Sequence, residues 1–178
     1  MNRRIAWIPL IILIAVASAM AQMGTPPGPE VKKLDYFVGT WTTEGTIAPG
    51  PWGTGGKFTG GGTTEWLPGN FFIQSQSESQ MPPELGGDSK AVMIMGYDTQ
   101  QSTYSSDRFT SIGQHESSKG TVSGDTWTWT STSNYGGMEI QGKMTIKTMS
   151  PTSYAFKYEI SMDGKNWSPF MEGKATKK

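Results

Sequence analysis

The chain has 178 residues, with 15 basic side chains, 15 acidic side chains, one histidine and no cysteine. Without cysteine it can form no disulfide framework, no cysteine–zinc site and no thiol nucleophile. Its charges are scattered along the chain, so no basic cluster predicts binding to nucleic acid or to an anionic membrane.

The start of the chain has the order of a secretory signal peptide. Basic residues in "MNRR" precede the apolar run "IAWIPLIILIAVA", and Ala19, Met20 and Ala21 then form a small-residue cleavage site. The apolar run is shorter than the roughly 20 residues that span a bilayer, and it contains Pro9. We expect a signal peptide at residues 1–21 and export to the periplasm or the extracellular space, with no membrane anchor left after cleavage.

Residues 22–33 contain three prolines and two glycines, and this composition predicts a flexible leader. The segment "LDYFVG" follows, and it can form one short helical turn with Leu34, Phe37 and Val38 on a common side. The remaining domain is predicted to cover residues 34–178.

From Gly39 onward the sequence is typical of an all-β protein. Short segments rich in threonine, serine and aromatic residues alternate with glycine-containing turns, and none of helical length has a sustained 3.6-residue apolar period. Strands are predicted at residues 40–47, 57–67, 70–80, 90–98, 102–111, 114–122, 125–134, 138–149, 153–162 and 167–178. We expect a single antiparallel meander barrel of about ten strands.

Four short motifs occur in order along this region. They are "LDYFVGTWTTEG" near its start, "MGYD" before "STY", "SIG" in the middle and "SMDGKNW" near its end. This set covers Leu34 to Lys178 and resembles a bacterial family of secreted, lipocalin-like barrels of unassigned function, within the calycin superfamily. The resemblance implies a barrel like those of lipocalins and fatty-acid-binding proteins.

The "GTW" motif is expected to close one end of the barrel. Gly39 would let the chain leave the helical turn at a dihedral angle that a side chain resists. Trp41 would then point inward, with its indole N–H within reach of a backbone carbonyl. Family members usually end on a basic residue that can lie over this tryptophan, so the resemblance implies that Lys174 makes the cation–π contact.

Strand alternation identifies candidate ligand contacts inside the barrel. Tyr154, Phe156 and Tyr158 share one face of their strand, and Trp127 and Trp129 share a face of theirs. Residues predicted to contact a ligand are Trp66, Tyr97, Arg108, Trp127, Trp129 and Phe156.

Arg108 is the one arginine that would remain after cleavage of the signal peptide. Its strand alternates Tyr104, Ser106, Arg108 and Thr110, and we favour a surface position for the arginine. If it instead points inward, it needs a paired carboxylate or an anionic ligand.

The sequence contains no evident catalytic constellation. With one histidine, His115, and no cysteine, we expect neither a conventional catalytic triad nor a multi-histidine metal site. In nitrobindins, haem-binding proteins of similar architecture, the ligand lies near the C-terminal end, whereas His115 lies mid-chain in a polar run. We therefore interpret His115 as a solvated histidine and Asp98 as the cap of a turn.

Three functions remain open. The barrel can hold a small apolar or amphipathic molecule without catalysis, which we favour and which needs no metal or cofactor. It can also be filled by its own side chains and act as a structural or interaction protein. An enzyme or a haem protein is the third alternative.

Export predicts a specific mature product. Intact-mass measurement of the protein secreted by its host should show Gln22 at the N-terminus, because the cleavage site ends at Ala21. A full-length product that stays in the membrane would contradict this prediction.

Overall fold

A computed structural model describes residues 26–178 except Trp52, Gly136 and the side chain of Tyr135. The predicted signal peptide and the first four residues of the predicted leader lie outside this part. In the described part, no helix is long and apolar enough to cross a membrane.

Ten strands form the body of the molecule. They are β1 (Gly39–Ile47), β2 (Gly56–Trp66), β3 (Phe72–Gln80), β4 (Ser89–Asp98), β5 (Thr103–Thr110), β6 (His115–Ser123), β7 (Thr126–Tyr135), β8 (Met138–Ser150), β9 (Ser153–Ser161) and β10 (Ser168–Lys177). Each predicted strand matches one of these to within about two residues at either end, because turn residues and period-2 alternation bracket every segment.

The sheet closes on itself. Successive strands pair antiparallel, and β1 also pairs with β10, so that Trp41 lies opposite Lys177 in the register. The all-β meander barrel is thus confirmed. Closure leaves no free sheet edge, which removes the usual site of edge-to-edge aggregation.

A short helical segment precedes the barrel. Helix α1 (Pro29–Lys32) runs into a 3₁₀-helix (Lys33–Phe37), and we call residues 29–37 the helical cap. Leu34 is fully buried, and Val31 and Phe37 are nearly so. These side chains insert an apolar face into one end of the barrel, which we call the closed end.

Hydrogen bonds from four aromatic side chains hold the helical cap in place. Tyr104 Oη donates to the Glu30 carbonyl at 2.9 Å, and Tyr36 Oη donates to the Ser153 carbonyl at 2.8 Å. Trp66 Nε1 donates to Asp35 Oδ1 at 3.0 Å, and Trp41 Nε1 donates to the Phe37 carbonyl at 2.8 Å. The cap is therefore fixed both by burial and by donors from several strands.

The prediction of a flexible leader is wrong for its last residues. The chain is helical from Pro29 onward, and Val31 is buried against the barrel. The prolines were interpreted as helix breakers, but proline is favoured at the first position of a helix because its missing N–H is not needed there.

Gly39 and Trp41 lie where the helical cap meets the first strand of the barrel. Gly39 has φ of 119°, a conformation that side chains rarely adopt. Trp41 is 7 % exposed, and its ring lies 5.0 Å from that of Tyr154. The indole thus packs inside the closed end while its N–H is satisfied by the backbone of the helical cap.

The contact predicted for Lys174 is wrong, because Lys177 makes it. The Lys177 ammonium lies 5.0 Å from the Trp41 ring centroid and donates to the Tyr36 carbonyl at 3.2 Å. Lys174 pairs with Glu44 at 2.9 Å, and both side chains are largely exposed. Since side chains alternate along β10, residues 174 and 177 point to opposite faces.

These contacts predict an order of stability effects. Trp41→Ala should lower the free energy of unfolding by about 3–5 kcal/mol, as loss of a buried aromatic ring does. Lys177→Ala should cost about 0.5–1 kcal/mol, the value of a partly exposed cation–π contact. Denaturant titration of both variants measures these changes.

Lys174→Ala is the matched control, and it should leave the unfolding midpoint unchanged because its ion pair is on the surface. A Lys174→Ala protein that is less stable than Lys177→Ala would contradict the assignment.

Candidate functional site

Above the closed end, the barrel encloses a cavity of about 340 Å³. This volume lies in the range of about 300–1,000 Å³ that is usual for small-molecule sites. Trp41, Phe37, Trp129 and Tyr154 border it at the closed end, and Met81 and Met171 border it toward the other end. The helical cap therefore supplies the floor of the cavity.

The floor is a packed aromatic layer. The Phe37 ring lies 5.1 Å from Trp127 and 6.2 Å from Tyr154, and Trp127 and Trp129 are parallel at 6.3 Å. Burial raises the pKa of the Tyr154 hydroxyl to about 12, so this phenol stays neutral. The floor offers apolar surface and carries no charge.

Two phenylalanine rings, Phe58 and Phe156, form one side of the cavity and lie over a pair of glycines. Gly45 of β1 lies opposite Gly173 of β10, and the rings of Phe58 and Phe156 cover these two positions. A Cβ atom at Gly45 would come within 2.7 Å of the Phe58 ring, and one at Gly173 within 2.8 Å of the Phe156 ring. The glycines thus let both rings lie flat against the wall and leave the lumen open.

Methionines contribute much of the remaining apolar lining. Met93 and Met95 of β4, Met144 of β8, and Met81 and Met171 all border the cavity. Methionine is flexible and polarisable, so such a lining can adapt to ligands of different shape.

Polar side chains gather in a second part of the lining, on strands between β5 and β9. Arg108 of β5 lies opposite Glu116 of β6, and both border the cavity together with Ser131 of β7 and Tyr158 of β9. We call these four residues the polar wall. The Tyr158 hydroxyl lies over Gly142 and next to the Ser131 hydroxyl, and a Cβ atom at position 142 would collide with both. Gly142 is therefore the site of a close approach, as its place inside an apolar series suggested.

Charge in the polar wall is only partly compensated. Among the described residues, no carboxylate forms an ion pair with Arg108, and its guanidinium makes no hydrogen bond. Burial raises the pKa of the Glu116 carboxyl above its ordinary value, and the charge of Arg108 opposes that shift. Burial and the nearby Glu116 also raise the pKa of Tyr158, so its phenol remains a hydrogen-bond donor.

The favoured surface position of Arg108 is wrong. The alternation of β5 puts the arginine on the inner face with the buried Tyr104 and Ser106. A surface position was favoured because a polar strand face usually contacts solvent, but here the polar face lines a lumen.

The structure separates the predicted ligand contacts into two groups. Arg108, Trp129 and Phe156 border the cavity. Trp127 is buried below it, Tyr97 packs on Tyr104 at 4.8 Å, and Trp66 binds Asp35 of the helical cap. These last three residues belong to the packing of the closed end and lie outside the cavity lining.

Sequence reasoning missed Glu116 and Tyr158 as members of the site. Glu116 is one of several carboxylates that are scattered along the sequence. The signal that could have placed it is the β5–β6 hairpin, because a turn centred on Ile112 puts residues 108 and 116 directly opposite each other.

His115 lies on the outer surface, as a solvated histidine should. Its Nε2 lies 3.1 Å from Asp107 Oδ1, and Ser117 contacts the same carboxylate oxygen. Ser117 Oγ and Asp107 thus approach a single ring nitrogen, whereas a catalytic relay uses both nitrogens of the ring. In the described part of the chain, no cluster of three or more histidine or carboxylate side chains could hold a metal ion.

Asp98 caps the turn between β4 and β5, as the sequence predicts. Its Oδ1 accepts hydrogen bonds from the backbone N–H groups of Gln100 and Gln101, at 2.8 and 3.0 Å. The carboxylate is therefore used in the turn and is not part of the cavity.

Solved structures share the fold at low sequence identity. The crystal structure of Rv2717c from M. tuberculosis aligns with a TM-score of 0.61 and 10 % identity, over 85 % of this chain and 99 % of that one. The S-type phycobiliprotein lyase CPES from Guillardia theta aligns with a TM-score of 0.56 and 8 % identity, over 83 % and 91 % of the two chains. No curated protein sequence matches the chain.

A sequence family covers almost the whole described part of the chain. Residues 26–177 match it from the start of the helical cap to the end of β10. The chain belongs to this family, which is described as "protein of unknown function (DUF1579)".

Proposed function

We propose that the barrel binds a small apolar or amphipathic molecule in its lumen and does not catalyse a reaction on it. The observation that carries this proposal is the unfilled cavity of about 340 Å³ above a rigid aromatic floor. A barrel that served only as a structural element would gain stability by filling this space with its own side chains.

The inner side chains of neighbouring strands explain why the space stays open. On β2 and β3 the inward positions include Gly62, Thr64, Ser75 and Ser77, which are all small. Their pairing across the two strands creates a continuous recess opposite Met144, and larger side chains there would occupy the lumen.

The chemistry of the lining favours binding over catalysis. No histidine or lysine of the described chain borders the cavity, so its serine hydroxyls lack the histidine or lysine that usually activates a serine nucleophile. Fold likeness to a phycobiliprotein lyase does not argue for enzymatic activity, because one fold supports many functions.

We also propose that the protein acts after export, with its signal peptide removed. The order of basic, apolar and small residues at positions 1–21 supports this location. A ligand carrier outside the cytoplasm needs no cysteine or cofactor for such a role.

Filling the cavity should abolish binding. The uncharged fluorophore N-phenyl-1-naphthylamine should bind the wild-type protein with enhanced emission, and Ser77→Phe should weaken its binding at least about 10-fold by occupying the lumen. Gln76→Phe is the matched control, because Gln76 is the next residue of β3 and points outward. Fluorescence titration measures both, and circular dichroism checks that the variants are folded.

Native mass spectrometry of protein purified from its own host should also reveal a bound small molecule. Equal binding of the fluorophore by wild type and Ser77→Phe, or no binding at all, would contradict the proposal.

A further inference from the structure

We propose that the natural ligand carries a carboxylate and that Arg108 binds it through its guanidinium group. This inference rests on the proposed function and names the chemical class of the ligand. The ligand is then a single-headed amphipathic acid with its apolar body against the aromatic and methionine lining.

Arg108 is an unsatisfied cation inside the barrel. It extends from β5 between Met93 of β4 and Glu116 of β6, and it borders the cavity. Every described buried polar side-chain atom has a hydrogen-bond partner. Because the guanidinium nitrogens of Arg108 have no such partner, they are not fully buried, and they face the lumen that this residue borders. They are available to a molecule that enters it.

An arginine in this position is matched by an anion with two oxygen atoms. The guanidinium presents parallel N–H donors that fit a carboxylate in a bidentate geometry. A cation partly removed from water is costly unless an opposite charge lies beside it, so a ligand carboxylate would gain more here than at the surface.

Glu116 does not already fill this role. Its backbone lies directly opposite Arg108, yet the two side chains form no ion pair. Burial raises the pKa of Glu116 more than the charge of Arg108 lowers it. Arg108 therefore keeps its binding capacity for a ligand.

Tyr158 provides a neutral donor near the same place. Its hydroxyl lies beside Ser131 and within electrostatic reach of both Arg108 and Glu116. A carboxylate on Arg108 could accept a further hydrogen bond from the Tyr158 hydroxyl. A cationic ligand would instead be repelled by Arg108.

The apolar part of the lining fits the other end of such a ligand. Trp129 lies on β7 with Ser131, and Phe156 lies on β9 with Tyr158. Met144 of β8 lies between these two strands, and Phe58 of β2 also borders the cavity. Only one cationic side chain of the described residues borders the cavity, so a single acidic group is expected.

The test compares two probes that differ only in their head group. Octanoate and 1-octanol are each used to displace N-phenyl-1-naphthylamine from the wild-type protein. Although the alcohol is the more hydrophobic molecule, octanoate should displace the fluorophore at a concentration at least about 10-fold lower. Arg108→Gln should remove this preference and leave the concentration needed for 1-octanol unchanged.

Two further variants separate binding from structure. Glu116→Gln should lower the octanoate concentration needed for displacement, because it removes an acidic side chain beside Arg108. Lys174→Gln removes a lysine on the outer face and should behave like the wild type.

The outcomes distinguish this inference from the proposed function. If octanoate and 1-octanol displace the fluorophore equally, or if Arg108→Gln keeps the preference, the carboxylate inference is wrong while the lumen remains a binding site. If the fluorophore itself does not bind the wild-type protein, both proposals fail.

Discussion

The structure depends on the docking of the helical cap into one end of the barrel. A meander barrel of ten strands is too wide for its inward side chains to fill completely. Without a floor, its lumen would be open at both ends. The cap supplies the missing apolar volume through Leu34 and Phe37, and its backbone carbonyls accept hydrogen bonds from Tyr104 and Trp41. Because those donors lie on β5 and β1, the cap also links two separate parts of the sheet.

Packing at the closed end sets the character of the other half of the lumen. Large side chains, among them Trp127 and Tyr104, form the floor. Above it, many inward residues are small or polar, and phenylalanines and methionines line the rest. The barrel can leave that half unfilled because the floor, the closed sheet and the cap already bury a sufficient core. The packed floor therefore contributes stability, and the polar, partly empty lumen above it leaves space for a molecule.

Much of the fold could be predicted from the sequence because its signals are local. Turn residues and period-2 alternation located all ten strands, and the "GTW" motif lies at the closed end, where Trp41 donates a hydrogen bond to the helical cap. The start of the helical cap was missed, since its burial depends on tertiary contacts of Val31 that no local pattern contains. The exchange of Lys174 for Lys177 has a similar cause, because the register of β10 against β1 decides which lysine lies on the face of Trp41.

The site was harder to predict because the role of a polar residue depends on whether its face of the sheet contacts solvent or lines the lumen. Alternation along β5 identifies a polar face, but a polar face can contact either solvent or a lumen. The residue type of Arg108 does not distinguish these two positions. The pairing of Arg108 with Glu116 across a short hairpin contained the missing information. Two opposite charges that face each other across adjacent strands normally form an ion pair. Here they do not. An apolar residue in place of Arg108 would remove the cost of partly desolvating the guanidinium, so the stability of the fold does not explain this arginine. A ligand anion explains it more simply.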